Sequence, residues 1–154
     1  MKLLDTTGGN TKIAKTQALT AGIRLAQLSL HPDNELCPGS KAAQCIDDCL
    51  LYSGLAAVYD SVNEARARKA EFFKTDQSGF LEQLRRELHN FLKLCAKLGL
   101  TPWVRLNVLS DVAFEKHGIP QEFPQLNFYD YTKRAARLLK TPPNYHLMFS
   151  YSGA

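Results

Sequence analysis

The period of the apolar residues changes between residues 78 and 109, and that change limits the folds open to this chain more than any other feature. Leu81, Leu84, Leu88, Phe91, Cys95 and Leu98 recur in steps of three and four, which lays one apolar stripe along a helix. Gly99 follows, a residue suited to end such a helix in a left-handed turn. After Pro102 the pattern becomes the β-rich run Trp103-Val104-Arg105-Leu106-Asn107-Val108-Leu109, ending at Ser110-Asp111. Two more such runs, residues 126–131 and 145–151, flank a short helical stretch with Ala135, Ala136, Leu138 and Leu139. Strands that alternate with helices imply right-handed βαβ crossovers and a mainly parallel sheet, so the expected class is α/β.

The first half carries weaker signals of the same kind. Residues 2–5 read as a short strand that ends in the polar turn Thr6-Thr7-Gly8-Gly9-Asn10-Thr11-Lys12. This turn lacks the glycine and lysine spacing of a P-loop, so it reads first as a plain turn and second as a backbone cradle for an anion, with Asn10 and Lys12 as binding residues. Residues 23–30 read as a strand stopped by Pro32, and a helix is expected from Lys41. A further helix over residues 56–74 would carry Val58, Val62, Ala65 and Phe72 inward, with Arg66, Arg68 and Lys69 on a solvated face. Cys95 lies on the helical stripe and reads as a core thiol, whereas His89 lies off it and reads as a surface residue.

With 154 residues, 45% hydrophobic and 22% charged, the chain suffices for one domain, residues 1–154, with a substantial core. Its apolar runs are too short to cross a bilayer, and its first residues lack the apolar centre of a signal peptide. The expected location is the cytoplasm, where the four cysteines stay reduced or bind metal. A net charge of +4 permits a nucleic-acid partner without singling one out. His-Glu-x-x-His, Gly-x-Ser-x-Gly and Gly-x-Gly-x-x-Gly patterns do not occur.

The chemistry-bearing residues form two groups. Cys37, Cys45 and Cys49 crowd into one short stretch, and soft thiolates in that number point to zinc or an iron–sulfur cluster. On a helix Cys45 and Cys49 would share one face, one turn apart. The second group sits where the expected strands end: Ser110 and Asp111, then Thr132 and Lys133, then Ser150 and Ser152. Ligands of parallel sheets bind at the carboxyl ends of strands, so Asp111 and Lys133 are the candidate acid–base pair, with Arg105, Asn107, Ser110 and Ser150 as candidate binding groups. Arg105 and Asn107 share a strand face by their period of two. An inward Arg105 needs a carboxylate such as Asp111 or Asp130, and the alternative is that it points outward.

The order of these motifs resembles the gene product eighty-eight family of phage and plasmid proteins. The resemblance runs through residues 9–15, through Cys37-Pro38-Gly39 with Cys45, Cys49 and Tyr52, through residues 104–111, and through Phe128-Tyr129-Asp130-Tyr131-Thr132-Lys133. It implies a cytoplasmic protein of a bacterial host and a partial or half-barrel similar to radical S-adenosylmethionine enzymes, and it brings no reaction with it. The chain departs from the family where Ser110-Asp111 lacks an intervening glycine, and Cys45-x3-Cys49 is not the usual radical-enzyme cluster motif. An apolar strand close to the end of the sequence suggests a shortened member, a fragment, or a half-barrel that forms a homodimer.

Three readings stay open. One is a metal or iron–sulfur enzyme with an open coordination position facing substrate. Another is a binding module for nucleic acid or a host protein, clipped by a metal whose fourth ligand is His31 or Cys95. The last is a metal-free domain that packs its thiols into the core.

Overall fold

The computed structural model describes residues 1–6, 17–26, 36–45 and 59–151. The expectations for Asn10, Lys12, His31, Cys49, Tyr52 and Ser152 fall outside those residues. The described elements are β1 (Leu4–Thr6), β2 (Ala18–Ile23), α1 (Asp60–Thr75), α2 (Gln77–Leu98), β3 (Thr101–Arg105), α3 (Ile119–Glu122), β4 (Asn127–Thr132) and β5 (Tyr145–Phe149), with 3-10 turns at Phe114–His117 and Ala135–Lys140.

The strands form one sheet in sequence order, β1 antiparallel to β2 and all later pairs parallel. The expected mixed α/β class with a mainly parallel sheet is therefore present. Each parallel strand lies beside its predecessor, so the crossovers all step one way, and crossovers of a single hand place their helices on a single face. On that face Leu84, Leu88 and Phe91 of α2 join Ile23, Val104 and Phe128 of the sheet in one core. A fully buried Leu or Phe of this kind stabilises the fold by about 1.5–3 kcal/mol. The sheet is open among the described residues, with β1 and β5 as edges, and the likeness to a radical S-adenosylmethionine barrel is not shown.

The α2 stripe matches the sequence pattern from Leu81 to Cys95, and Cys95 is a core thiol as expected. Asp76 caps the helix by accepting from Gly79 N–H at 2.9 Å, and Gly99 at φ 65° ends it. Leu98, expected inward, is 53% exposed because the last turn runs past the core. His89 is exposed as expected, edge-on to Phe123.

Three other local expectations fail for physical reasons. The second strand is residues 18–23, residues 24–26 of the expected strand 23–30 are not in a strand, and 27–30 lie outside the described residues; the strand is selected by its ladders to β1 and β3, which a window of apolar alternation does not contain. Residues 41–44, expected to open a helix, are turns, since Gln44 adopts φ of 50°, a value that breaks an α-helix, and the expected helix beyond Cys45 lies outside the described residues. Lys69, expected in solvent, is buried: its Nζ donates to Leu3 O and to Asp5 Oδ2, both at 3.1 Å. Glu87 of α2 accepts the Leu3 and Leu4 N–H groups at 2.7–3.0 Å. Side chains from both helices thus satisfy the backbone of an edge strand only three residues long.

The face opposite α1 and α2 carries Trp103 and Arg105 of β3, Tyr129 and Tyr131 of β4, and His146 of β5, by the alternation of side chains along each strand. Trp103 lies 6.0 Å from Tyr129 and 5.7 Å from His146 between ring centroids, and the Arg105 guanidinium sits 5.1 Å over the Tyr131 ring.

Replacing Lys69 by alanine should lower stability by about 2–3 kcal/mol, because it leaves the Leu3 carbonyl and Asp5 without their buried donor. The exposed neighbour Arg68, replaced likewise, should change stability by less than about 0.5 kcal/mol. Paired urea titrations decide it, and equal effects would refute the anchoring role.

Candidate functional site

Strands β3 and β4 pair only at Trp103 with Asn127 and Val104 with Phe128, whereas β4 and β5 stay paired as far as Thr132 with Phe149. The sheet therefore opens a gap at the carboxyl ends of β3 and β4. Asp130 and Asn107 fill it. Asp130, with no exposed surface, accepts from Asn107 N–H at 2.9 Å, Asn107 Nδ2 at 3.2 Å and Tyr145 Oη at 2.8 Å, and Arg105 Nε stands 3.7 Å away. Arg105 thus combines both sequence alternatives, half-exposed on the open face and paired with a buried carboxylate. Asn107 also closes the loop after β3: its Oδ1 accepts from Val112 N–H and Ser110 Oγ at 2.8 and 2.9 Å, and its Nδ2 donates to Val112 O. Burial pushes the Asp130 carboxyl up to about 7 against the downward pull of Tyr145, Asn107 and Arg105. Burial and the Asp130 charge also raise the Tyr145 phenol far above its ordinary range.

Asp111 organises the rim of the gap. Its Oδ2 accepts from Thr132 Oγ1 at 2.9 Å, Lys133 N–H at 3.3 Å and Arg134 Nε at 3.4 Å, while its Oδ1 accepts from Arg137 Nη1. Arg137 also forms a fork with Glu115, at 2.8 and 2.7 Å, and reaches Tyr145 Oη at 3.3 Å. Hydrogen bonds to Glu115 with the charges around it keep the Arg137 guanidinium protonated despite burial. Buried charges persist only when paired and fully bonded, and here two carboxylates meet two guanidiniums.

The cysteine-bearing turn docks on this rim. Asp111 N–H donates to Leu36 O at 2.7 Å, and Cys37 Sγ lies 3.5 Å from Leu109 O. Gly39 packs so closely that a Cβ there would stand 3.5 Å from Arg134 Cγ and 3.9 Å from Lys133 Cβ. Cys45 ends the turn with Sγ 3.7 Å from Ser40 O, and both cysteines are half-buried. Among the described residues no three His, Cys, Asp or Glu side chains form a group able to hold a metal ion, and Cys49, the third expected ligand, lies outside them. Between the turn and the helices is a cleft of about 390 Å³, lined by Asp111 and Arg134, by Lys74 and Gln77 at the α1–α2 junction, by His117, and by an apolar wall that includes Leu36 and Phe73.

Of the residues singled out in the sequence, Asp111, Lys133, Asn107, Ser110, Arg105, Cys37 and Cys45 come together at this one end of the sheet. Only Asp111 of these seven lines the cleft. Ser110 is buried against Asn107, and Ser150 stands one strand away, its N–H donating to Thr132 O at 2.9 Å. Sequence reasoning missed Arg134, Arg137, Glu115 and Tyr145 as site residues. Their signal was faint: two arginines three apart directly after a strand, which composition counts as surface charge.

These features define an α/β domain with a polar site at the carboxyl ends of parallel strands, fronted by a cysteine turn. The chain belongs to the Gene product 88 family, whose model matches residues 1–154, its whole length. No curated protein and no solved structure matches it. Among the described residues no helix is long and apolar enough to cross a membrane.

The raised Asp130 carboxyl fixes a sign for pH dependence. The folded chain holds this proton more tightly than the unfolded one between the ordinary value of 3.8 and about 7. The contribution to stability is therefore complete below pH 3.8 and is lost as pH rises through 7. The Asp130→Asn variant should lack this component, so the parent-minus-variant stability difference should fall across pH 4–7 in urea titrations. A difference independent of pH would refute the assignment.

Proposed function

We propose that this domain binds a small ligand in the cleft at the strand ends, with Cys37, Cys45 and Cys49 holding zinc or an iron–sulfur cluster at its rim. The observation that supports this reading is the docking of the cysteine turn on residues 109–111 and 133–134, which brings thiols and polar strand-end residues to one place across more than seventy residues of sequence. Three thiolates would leave a fourth coordination position for a ligand from the cleft. Both Asp111 oxygens are bound to protein donors, so its role is to position Arg134 and Arg137, while Lys133, the other half of the expected acid–base pair, stands outside the cleft lining. The partial-barrel likeness belongs to this reading, since consecutive parallel strands with helices on one face are how such barrels begin.

Protein purified without oxygen should contain about one zinc, or iron with acid-labile sulfide and a broad visible absorption shoulder. Cys49→Ser should lose that metal. Stoichiometric metal in the variant, or a metal-free parent after anaerobic purification, would refute the thiolate site.

A second reading, a module that binds nucleic acid, draws support from the sheet face opposite α1 and α2. Tyr131 is 44% exposed there and carries Arg105, a pairing suited to base stacking beside a phosphate. Trp103, the single tryptophan of the chain, reports on that face. Under this reading single-stranded oligothymidylate quenches its fluorescence, salt reverses the quenching, and Tyr131→Ala weakens it; unchanged fluorescence would refute it.

A further inference from the structure

We infer that the cleft at the strand ends is a site for a phosphate monoester with an apolar body. The inference rests on the reading of this cleft as the ligand site and names the class of ligand it takes. Its volume, about 390 Å³, suits a small organic molecule.

The polar groups of the cleft fall into two kinds. Asp111 lines the wall, but its charge is met by Arg137, itself forked to Glu115. Arg134 uses Nε and Nη2 on the Asp111 side chain and backbone, which fixes the guanidinium plane and leaves Nη1 for a ligand. Lys74 brings a second cation from the exposed end of α1, and the Gln77 amide lies three residues on. The His117 ring, whose contact is the Phe73 ring at 6.2 Å between centroids, adds a nitrogen donor. Two cations, an imidazole and an amide thus face a cavity in which Asp111, the one carboxylate among the described lining residues, is already paired.

That balance selects an anion. A phosphate monoester presents three terminal oxygens and close to two charges at neutral pH, which matches donors spread over Arg134, Lys74, His117 and Gln77 better than the two oxygens of a carboxylate do. The remaining wall is apolar: Leu36 and Pro38 from the cysteine turn, Phe73 from α1, and Val112 and Ala113 from the loop after β3. A ligand that is phosphate alone leaves this wall wet, whereas one with an organic body covers it.

Calorimetric titration of the protein as purified, with phenyl phosphate, inorganic phosphate and benzoate as probes, tests the inference. Phenyl phosphate should bind about tenfold more tightly than inorganic phosphate and more tightly than benzoate. Lys74→Gln and Arg134→Gln should each weaken it about three- to tenfold. Lys74 is exposed, so its variant keeps the test open if the Arg134 variant does not fold. No binding of phenyl phosphate at millimolar concentration, equal affinity for benzoate, or binding indifferent to Lys74→Gln would overturn the inference. Neither substitution touches a cysteine, so a protein found without metal removes the thiolate site, and the cleft stands or falls on phenyl phosphate.

Discussion

The carboxylate of Asp111 is the point on which the carboxyl end of this sheet depends. The ladder between β3 and β4 ends after two registered pairs, and nothing in backbone hydrogen bonding holds the two strand ends at a fixed separation beyond it. Asp111 replaces that missing ladder by binding Thr132, Lys133, Arg134 and Arg137 from the β4 side while its own N–H holds Leu36 of the cysteine turn. Three segments far apart in sequence therefore meet on one side chain and its backbone. Such a junction is costly to bury unless every charge is paired, and the fork between Arg137 and Glu115 completes the pairing.

How far this was legible in the sequence follows from which interactions are local. The α2 stripe and its Gly99 end are written within residues 81–99 and could be read directly, except for the exposed Leu98 in the last turn and the Asp76 cap, which the apolar stripe does not reveal. Residues 18–23 were unreadable as a strand because Ala18, Leu19, Thr20, Ala21, Gly22 and Ile23 alternate poorly, and their strand state comes from neighbours eighty residues on. Lys69 misled for the same reason: a lysine beside two arginines reads as solvated until the carbonyl of Leu3 is brought to it.

The site divides in the same way. That polar residues would gather at the ends of parallel strands follows from topology alone, and it located Asp111, Ser110 and Lys133. Which of them face a cavity does not follow, because Ser110 turns toward Asn107 and Lys133 contributes its backbone N–H to Asp111. Arg134 and Arg137 were counted as charge. Only the placing of Asp111 by the loop after Arg105, which Asn107 closes, brings Arg134 into the cleft wall and buries Arg137 behind it.

One-directional winding of the parallel strands explains why two quite different surfaces coexist on so small a sheet. Crossovers of one hand that always step the same way cover one face with α1 and α2 and leave the other to Trp103, Tyr129, Tyr131 and His146. The same winding brings the α1–α2 junction to the carboxyl end of the sheet, because α2 runs back to feed the start of β3. Lys74 and Gln77 arrive at the cleft for that reason, opposite the cysteine turn. The cleft is thus bounded by one helix junction, one strand-end loop and one turn, each fixed by a different part of the chain.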